Sequence, residues 1–189
     1  MKKTIILALA LLCIIGAVGC RCKPEQPKIA TTVSYAGWSD DKSISDGALN
    51  KNEINSESKD RHLPIFKMDT FSEFEQFKSD YGDVFAFDQK YNDVGSFNDV
   101  ISKAQFDRKI FFKDNTLLLV YVRANSGSYR FGISAVNYDE EAVWVYVNQT
   151  NEPENISDDM AGWFIIISIP DSEVRNLTSF DAILEDDRD

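Results

Sequence analysis

Apolar residues recur with helical spacing in two stretches of the chain. The apolar positions of the first are Phe71, Phe74, Phe77 and Tyr81, and those of the second are Phe97, Val100, Ile101 and Ala104. Thr70 followed by Glu73 has the pattern of a capping box, and Ser96 is a suitable N-cap residue for the second stretch. The spacing therefore predicts two helices, each with one apolar side turned toward the core.

Beyond residue 106 the pattern changes from helical spacing to strands. Residues 117–122 form a continuous apolar run, which is typical of a central strand covered on both faces. Residues 129–135 and 142–148 alternate between apolar and other side chains, and the acidic turn between them predicts a hairpin. Residues 163–169 predict a further strand, which a proline ends, and residues 179–184 predict the last one.

The order of these elements favours an α+β domain over residues 62–189. A first strand is predicted at residues 63–68, before the helices, and one helical turn at residues 171–176. We expect two N-terminal helices packed on one face of a curled, mostly antiparallel sheet of about five strands. The length of this region is that of one domain.

The region between residues 20 and 61 has no sustained apolar period and is rich in Ser, Asn, Asp, Lys and Glu. Such a composition predicts a flexible polar tether. Four residues leave room for a short ordered piece, namely Ile29, Val33, Tyr35 and Trp38.

Residues 1–19 have the parts of a secretory signal: a basic start, an apolar run and small residues at the end. The apolar run is shorter than the roughly 20 residues of a membrane-spanning helix. The sequence Ala17-Val18-Gly19-Cys20 resembles the lipobox of bacterial lipoproteins, in which the cysteine receives a lipid and the chain is cut before it. The resemblance implies a protein anchored in the bilayer through Cys20, on the outer face of the bacterial cell membrane. An ordinary cleaved signal and an uncut anchor are the alternatives.

The net charge limits the classes of partner, and the cysteine content limits the disulfide bonds that the chain can form. The net charge of −11 disfavours nucleic acid and anionic lipid headgroups. Cys13 lies in the predicted signal and Cys20 is the predicted lipid acceptor, so Cys22 alone would keep a thiol and no internal disulfide is expected.

The sequence offers little for catalysis or metal binding. His62 is the only histidine, and we expect it to be a solvated surface residue. Residues 46–53 match the second half of a calcium-binding loop, but Lys42 and Ile44 occupy two positions that need oxygen ligands. We therefore predict no catalytic residue, no metal and no cofactor. The 31 acidic residues keep one alternative open, a small carboxylate-dependent hydrolase of the cell envelope.

Three residues are candidates for binding: Arg130, Asp159 and Trp163. Arg130 follows a Gly/Ser-rich segment at residues 125–129 and can bind a carboxylate or phosphate through two hydrogen bonds. The alternative is a structural ion pair with a nearby acid, for which Asp158 and Asp159 are possible partners. Exposed aromatic residues, among which we count Trp144, Tyr146 and Trp163, are further candidates.

Three segments together resemble a group of lipoproteins from low-GC Gram-positive bacteria without an assigned activity. They are Phe111-Phe112-Lys113-Asp114-Asn115, Ser126-Gly127-Ser128-Tyr129-Arg130-Phe131-Gly132 and Asp159-Met160-Ala161-Gly162-Trp163-Phe164. More distantly, the apolar strand, the Ser-Gly turn and the hairpin are similar to the C-terminal domain of the protease-complex subunit PrcB. That likeness implies a small β-rich interaction domain working in a surface protein complex.

The sequence thus predicts a membrane-anchored, non-enzymatic binding or interaction domain whose partner is a small ligand or an envelope protein. The alternatives are the carboxylate-dependent hydrolase and a spacer with no specific partner. Two converging acids of raised pKa in a concave pocket would favour the hydrolase, and an aromatic-bearing surface would favour the binding domain.

Overall fold

The computed structural model describes residues 29–55 and 61–185. The predicted signal at residues 1–19 and the predicted lipid acceptor Cys20 lie outside the described residues. The strands are β1 (Ala30–Tyr35), β2 (Arg61–His62), β3 (Ile65–Met68), β4 (Asn115–Ala124), β5 (Phe131–Tyr138), β6 (Ala142–Gln149), β7 (Ala161–Pro170) and β8 (Ser179–Leu184). The helices are α1 (Lys42–Gly47), α2 (Lys51–Ile54), α3 (Phe71–Asp80), α4 (Phe97–Ala104) and α5 (Asp171–Val174), with a 3-10 turn at Phe111–Lys113.

The strands form two four-stranded sheets. The first has the order β1-β7-β4-β3 and is antiparallel throughout, and the second has the order β2-β8-β6-β5 with β6 and β8 parallel. The α+β class is confirmed. The single curled sheet of about five strands is wrong, because the predicted strands divide between two sheets and β1 and β2 add to them.

The first sheet lies between the helices and the second sheet. On one face, Val120 of β4 and Ile165 of β7 belong to the same buried cluster as Val145 of β6. On the other face, residues such as Phe164 and Tyr121 pack with the aromatic side chains of α3 and α4. Because successive side chains point to opposite faces, a strand covered on both faces is apolar at successive positions, as β4 is at residues 117–122 and β7 at residues 163–167.

Both predicted helices are confirmed, together with their caps. The Thr70 hydroxyl accepts a hydrogen bond from the Glu73 backbone N–H, and the Glu73 carboxylate accepts one from the Thr70 N–H, which completes the capping box of α3. The Ser96 hydroxyl accepts from the Asp99 N–H at the start of α4. Caps of this kind stabilise a helix by about 1 kcal/mol each, so local sequence fixes where these helices begin.

The structure corrects the predicted tether over residues 20–61. Six residues of β1 pair with β7, and α1 and α2 follow them, so residues 30–54 belong to the folded domain. The buried Asn50 fastens this segment: its side-chain amide donates to the Leu63 carbonyl and accepts from the Ile65 N–H. Strand β1 also covers an edge of β7 that would otherwise present unpaired backbone groups. The remaining parts of the predicted tether, at 20–28 and 56–60, lie outside the described residues.

The phenol of Tyr121 joins the segment after β1 to the first sheet. Its oxygen donates to the Gly37 carbonyl at 3.0 Å and accepts from the Ser39 N–H at 2.8 Å. Burial disfavours the phenolate and raises the pKa of Tyr121 to about 12 from an ordinary value of 10.0. The folded chain therefore holds this proton over a pH range in which the unfolded chain has lost it.

This difference predicts a loss of stability in alkali. Below pH 10 the contribution of Tyr121 is fully present, and it disappears as the pH rises through the folded pKa of about 12. From the size of this shift we expect the loss to reach about 2–3 kcal/mol of unfolding free energy. Urea denaturation at stepped pH measures it, with Tyr121→Phe as the variant that removes the titrating group. A variant whose unfolding free energy falls as steeply with pH as that of the unmodified chain would contradict the assignment.

Candidate functional site

The three candidate binding residues lie together at one end of the two sheets. Trp163 stands near the start of β7, and the guanidinium carbon of Arg130 lies 4.9 Å from the centre of its ring. Tyr91 lies beside both, and its hydroxyl donates to the Asp159 carboxylate at 2.5 Å. The structure therefore brings Arg130, Asp159 and Trp163 into one cluster.

Within this cluster Arg130 makes structural contacts. Its Nη1 donates to the carbonyls of Gly127 at 2.7 Å and Tyr129 at 3.1 Å. Its Nη2 lies 3.3 Å from the Asp93 carboxylate, so its acidic partner is Asp93 and neither Asp158 nor Asp159. Two bonds to local carbonyls and a cation–π contact fix the shape of the turn that precedes β5. Arg130 is thus engaged with its own loop.

Asp159 ties that turn to the loop before β7. Its backbone carbonyl accepts from the Gly127 N–H at 2.8 Å. Hydrogen bonds from Ser157 and then Tyr91 favour its carboxylate and lower the pKa of Asp159. The bond to Asp159 is also the main reason that the pKa of Tyr91 is raised. Asp159 is therefore a link between two loops and stays ionised.

Trp163 is not an exposed aromatic residue. Its exposed fraction is 0%, and its ring packs edge-on against Tyr35 at 5.7 Å and Tyr91 at 5.5 Å. The prediction of an exposed Trp163 is wrong because β7 lies inside the first sheet, where both faces are covered. Trp144 and Tyr146 are half-buried, at positions of β6 that alternate with its buried valines.

His62 is likewise not solvated as predicted. Its Nδ1 lies 2.9 Å from the Asp181 carboxylate, and the two side chains are 13% and 17% exposed. The same carboxylate oxygen accepts from the Asn50 side-chain amide at 2.9 Å. Because His62 and Asp181 lie on the paired strands β2 and β8, their contact fastens one edge of the second sheet.

A groove of about 760 Å³ opens at the same end of the molecule. It is formed by the ends of β4, β6 and β8, the start of β5, and the loop at residues 150–156. Its lining is Arg61, Arg123, Ala124, Asn125, Tyr129, Phe131, Gln149, Thr150, Asn151, Glu152, Pro153, Ile156, Leu184 and Glu185. We call this surface the end groove.

The end groove combines an apolar floor with polar walls. Phe131 and Leu184 are each 8% exposed, so only a small part of either side chain reaches the surface. Ile156 lies on the loop and is 61% exposed. The polar lining side chains supply three amides, one phenol, two guanidinium groups and two carboxylates. This mixture can hold a ligand that has both an apolar part and hydrogen-bonding groups.

The wall of the end groove is held in place by residues 125–130, the Gly/Ser-rich segment and Arg130 that the sequence indicated as a candidate for binding. The Arg130 N–H donates to the Asn151 side-chain oxygen at 2.7 Å, and the Asn151 amide donates to the Ser128 carbonyl at 2.9 Å. The hydroxyls of Ser126 and Ser157 lie 2.8 Å apart. The predicted binding residues thus support the loops from behind, and the surface they position belongs to other side chains.

Sequence reasoning identified only the flank of this site, at Asn125 and Tyr129. It missed Arg61 and Arg123, which lie far apart along the chain and reach one groove only because β2 begins there and β4 ends there. The signal available in the sequence was the long polar loop between residues 149 and 159, which lies between two strongly apolar strands.

Comparison of the chain with protein-family models, with curated proteins and with solved structures finds no match. The resemblance to a lipoprotein group and to the PrcB domain therefore stays a prediction. Within residues 29–55 and 61–185, no three His, Cys, Asp or Glu side chains are grouped to hold a metal ion. The first part of the calcium-loop-like segment forms α1 instead of a loop. No helix in the described part of the chain is long and apolar enough to cross a membrane.

Proposed function

We propose that this chain is an extracytoplasmic lipoprotein whose domain binds a small ligand in the end groove without transforming it. The observation that carries the proposal is the lining of the end groove, where an apolar floor meets amide, phenol and guanidinium groups at one concave surface. Small-molecule sites have this composition and are largely formed before the ligand arrives. The hydrogen bonds among Arg130, Asn151 and Ser128 supply that preorganisation.

The position of the anchor is compatible with ligand entry at this groove. Ala30, where β1 begins, pairs with Ser168 near the end of β7, whereas the end groove lies beside Ala124 and the start of β7. Seven residue steps of β4 separate the two levels, which is roughly 20 Å at the usual rise of a strand. In a chain tethered through Cys20, the tether would join the domain at one end, and the end groove would lie at the opposite end, where a bilayer need not block it.

The length of chain between anchor and domain is also limited. The ten residue steps from Cys20 to Ala30 span at most about 35 Å when fully extended. A lipid-anchored domain would therefore stay close to the membrane surface.

The carboxylate-dependent hydrolase is the second candidate, because Glu152 and Glu185 both line the end groove. One of them would have to remain protonated near neutral pH to act as a general acid. Both glutamates are exposed, and the Glu185 carboxylate accepts a hydrogen bond from the Ser134 hydroxyl. The groove therefore lacks a buried pair of acids among its described residues, and its lining favours binding over hydrolysis.

A fragment titration followed by NMR tests this proposal. We expect small amphipathic compounds to shift the backbone amide resonances of the residues that line the end groove and to be recovered unchanged. Glu152→Gln and Glu185→Gln serve as the discriminating variants. Turnover of a bound compound by the unmodified chain, abolished by either variant while binding persists, would establish the hydrolase and overturn the binding proposal.

A further inference from the structure

Two guanidinium groups line the end groove without an acidic partner among the described residues. Arg61 begins β2 and Arg123 lies near the end of β4, and both side chains are exposed. The ion pairs formed within residues 29–55 and 61–185 involve neither of them. The chain carries 31 acidic and 20 basic residues, so two arginines in one groove that form no ion pair with a described residue stand out against an acidic background.

The acids of the same groove do not neutralise these cations directly. The Glu185 carboxylate accepts a hydrogen bond from the Ser134 hydroxyl at 2.5 Å, which holds it toward β5. Glu152 lies on the exposed loop, and neither acid comes within ion-pairing distance of Arg61 or Arg123. The guanidinium groups are therefore available to an anion that enters the groove.

We propose that the ligand of the end groove is a small amphipathic organic anion, and this inference rests on the proposed function. Arg61 and Arg123 would bind its head group, because a guanidinium group matches the oxygens of a carboxylate or a phosphate with two parallel hydrogen bonds. The apolar body would lie on Phe131, Leu184 and Ile156, which form the apolar part of the lining. The amides of Asn125, Gln149 and Asn151 would bind polar groups along that body.

Charge complementarity also decides against large anionic partners. The net charge of −11 repels an extended polyanion or an anionic bilayer surface, whereas a small anion needs only the local field of the two arginines. Because these side chains are exposed, their attraction for the anion should weaken as ionic strength rises.

A pair of fluorescent probes separates the contribution of charge from that of apolar contact. Anilinonaphthalene sulfonate carries an anionic head on an aromatic body, and phenyl naphthylamine has nearly the same body without the head. We expect the anionic probe to bind the full-length soluble chain at least about tenfold more tightly than the neutral one, since two charge-assisted contacts are added.

The arginine variants assign that difference to the groove. Arg61→Gln and Arg123→Gln should each weaken binding of the anionic probe about five- to tenfold and leave the neutral probe unaffected. Arg108→Gln is the matched control, because Arg108 is exposed, forms none of the described ion pairs and lies outside the groove. Near-ultraviolet circular dichroism verifies that each variant keeps its tertiary packing. This control excludes probe binding to a partly unfolded variant.

The two head groups are distinguished by displacement. Undecanoate and decyl phosphate share a ten-carbon alkyl tail, so the one that displaces the anionic probe at lower concentration identifies the preferred head. Equal binding of the anionic and neutral probes, with no effect of Arg61→Gln or Arg123→Gln, would overturn the anion inference while the groove remained a binding site. Failure of every fragment to shift a groove resonance would overturn the proposed function instead.

Discussion

Gly162→Ala should lower the free energy of unfolding by about 3 kcal/mol or more, since a side chain at this position must overpack a closed core. Gly162 lies in β7, where its carbonyl accepts from the Ala36 N–H at 2.8 Å. A Cβ atom there would stand 2.0 Å from the Gly37 carbonyl oxygen and 2.6 Å from the Tyr121 hydroxyl. The added methyl would therefore displace both partners of the Tyr121–Gly37 hydrogen bond and lift the chain that follows β1.

Neither Gly37 nor Tyr121 can easily move to relieve the clash with a side chain at position 162. Gly37 has a φ of +76°, a conformation that side chains other than glycine rarely adopt, and Tyr121 is 1% exposed. Gly132→Ala in β5 is the matched control. Its Cβ would stand 2.8 Å from the Cγ2 atom of Thr150, whose side chain can rotate, and 3.9 Å from the Asn148 side-chain oxygen, which is an ordinary contact. We expect the control to cost under about 1 kcal/mol. Urea denaturation measures the free energy of unfolding of both variants. A value for Gly162→Ala within about 0.5 kcal/mol of that of the unmodified chain would contradict the close contact of Gly162 with Gly37 and Tyr121.

Cys20→Ala should abolish lipid attachment. In a Gram-positive bacterium that expresses the tagged chain, we expect the unmodified protein to incorporate labelled palmitate and to sediment with membranes, because two or more acyl chains give durable anchoring. The variant should lose all of the label. Incorporation of the label is the measurement that decides, because a lipobox chain that is not lipidated keeps the apolar signal of residues 1–19.

Cys22→Ala is the matched control for this experiment, since it removes a neighbouring thiol without changing the lipobox residues. It should retain both the label and the membrane association. Labelling that survives in Cys20→Ala, or that disappears only in Cys22→Ala, would contradict lipidation at Cys20.

Local signals explain which elements could be predicted. Helices α3 and α4 begin at capping residues, Thr70 and Ser96, whose hydrogen bonds are made within the same turn of chain. The β5–β6 hairpin is also local, and β8 coincides with the predicted range of residues 179–184. In each case residues close in the sequence determine the structure.

The missed elements depend on contacts between distant parts of the chain. Strand β1 contains Thr31, Thr32 and Ser34, which weaken its apolar pattern, and pairing with β7 stabilises it. The division into two sheets follows from strand order, which no local pattern specifies. One sign of it is present in the sequence: β4 and β7 each contain a continuous apolar run, at residues 117–122 and 163–167, which is typical of a strand covered on both faces. In β6 the side chains alternate between buried and half-buried, because only one face of this strand is covered.

The candidate site shows the same limit. The sequence offered Asp158 and Asp159 as partners of Arg130, but Arg130 pairs with Asp93 and donates to neighbouring carbonyls, and Asp159 accepts from Tyr91. Which side chains face solvent is decided by the layers that cover them. The end groove could not be located before β2 was known to begin, and β4, β6 and β8 to end, at the same place.

Ligand binding in the end groove is tested most directly by a residue-resolved NMR titration. Amphipathic fragments are added to the isotopically labelled chain. We predict shifts at Asn125, Gln149, Asn151 and Ile156, with none at Asn137 or Trp144 on the outer face of the second sheet. Shifts confined to Asn137 and Trp144, or no shifts with any fragment, would contradict the assignment of the end groove as the binding site.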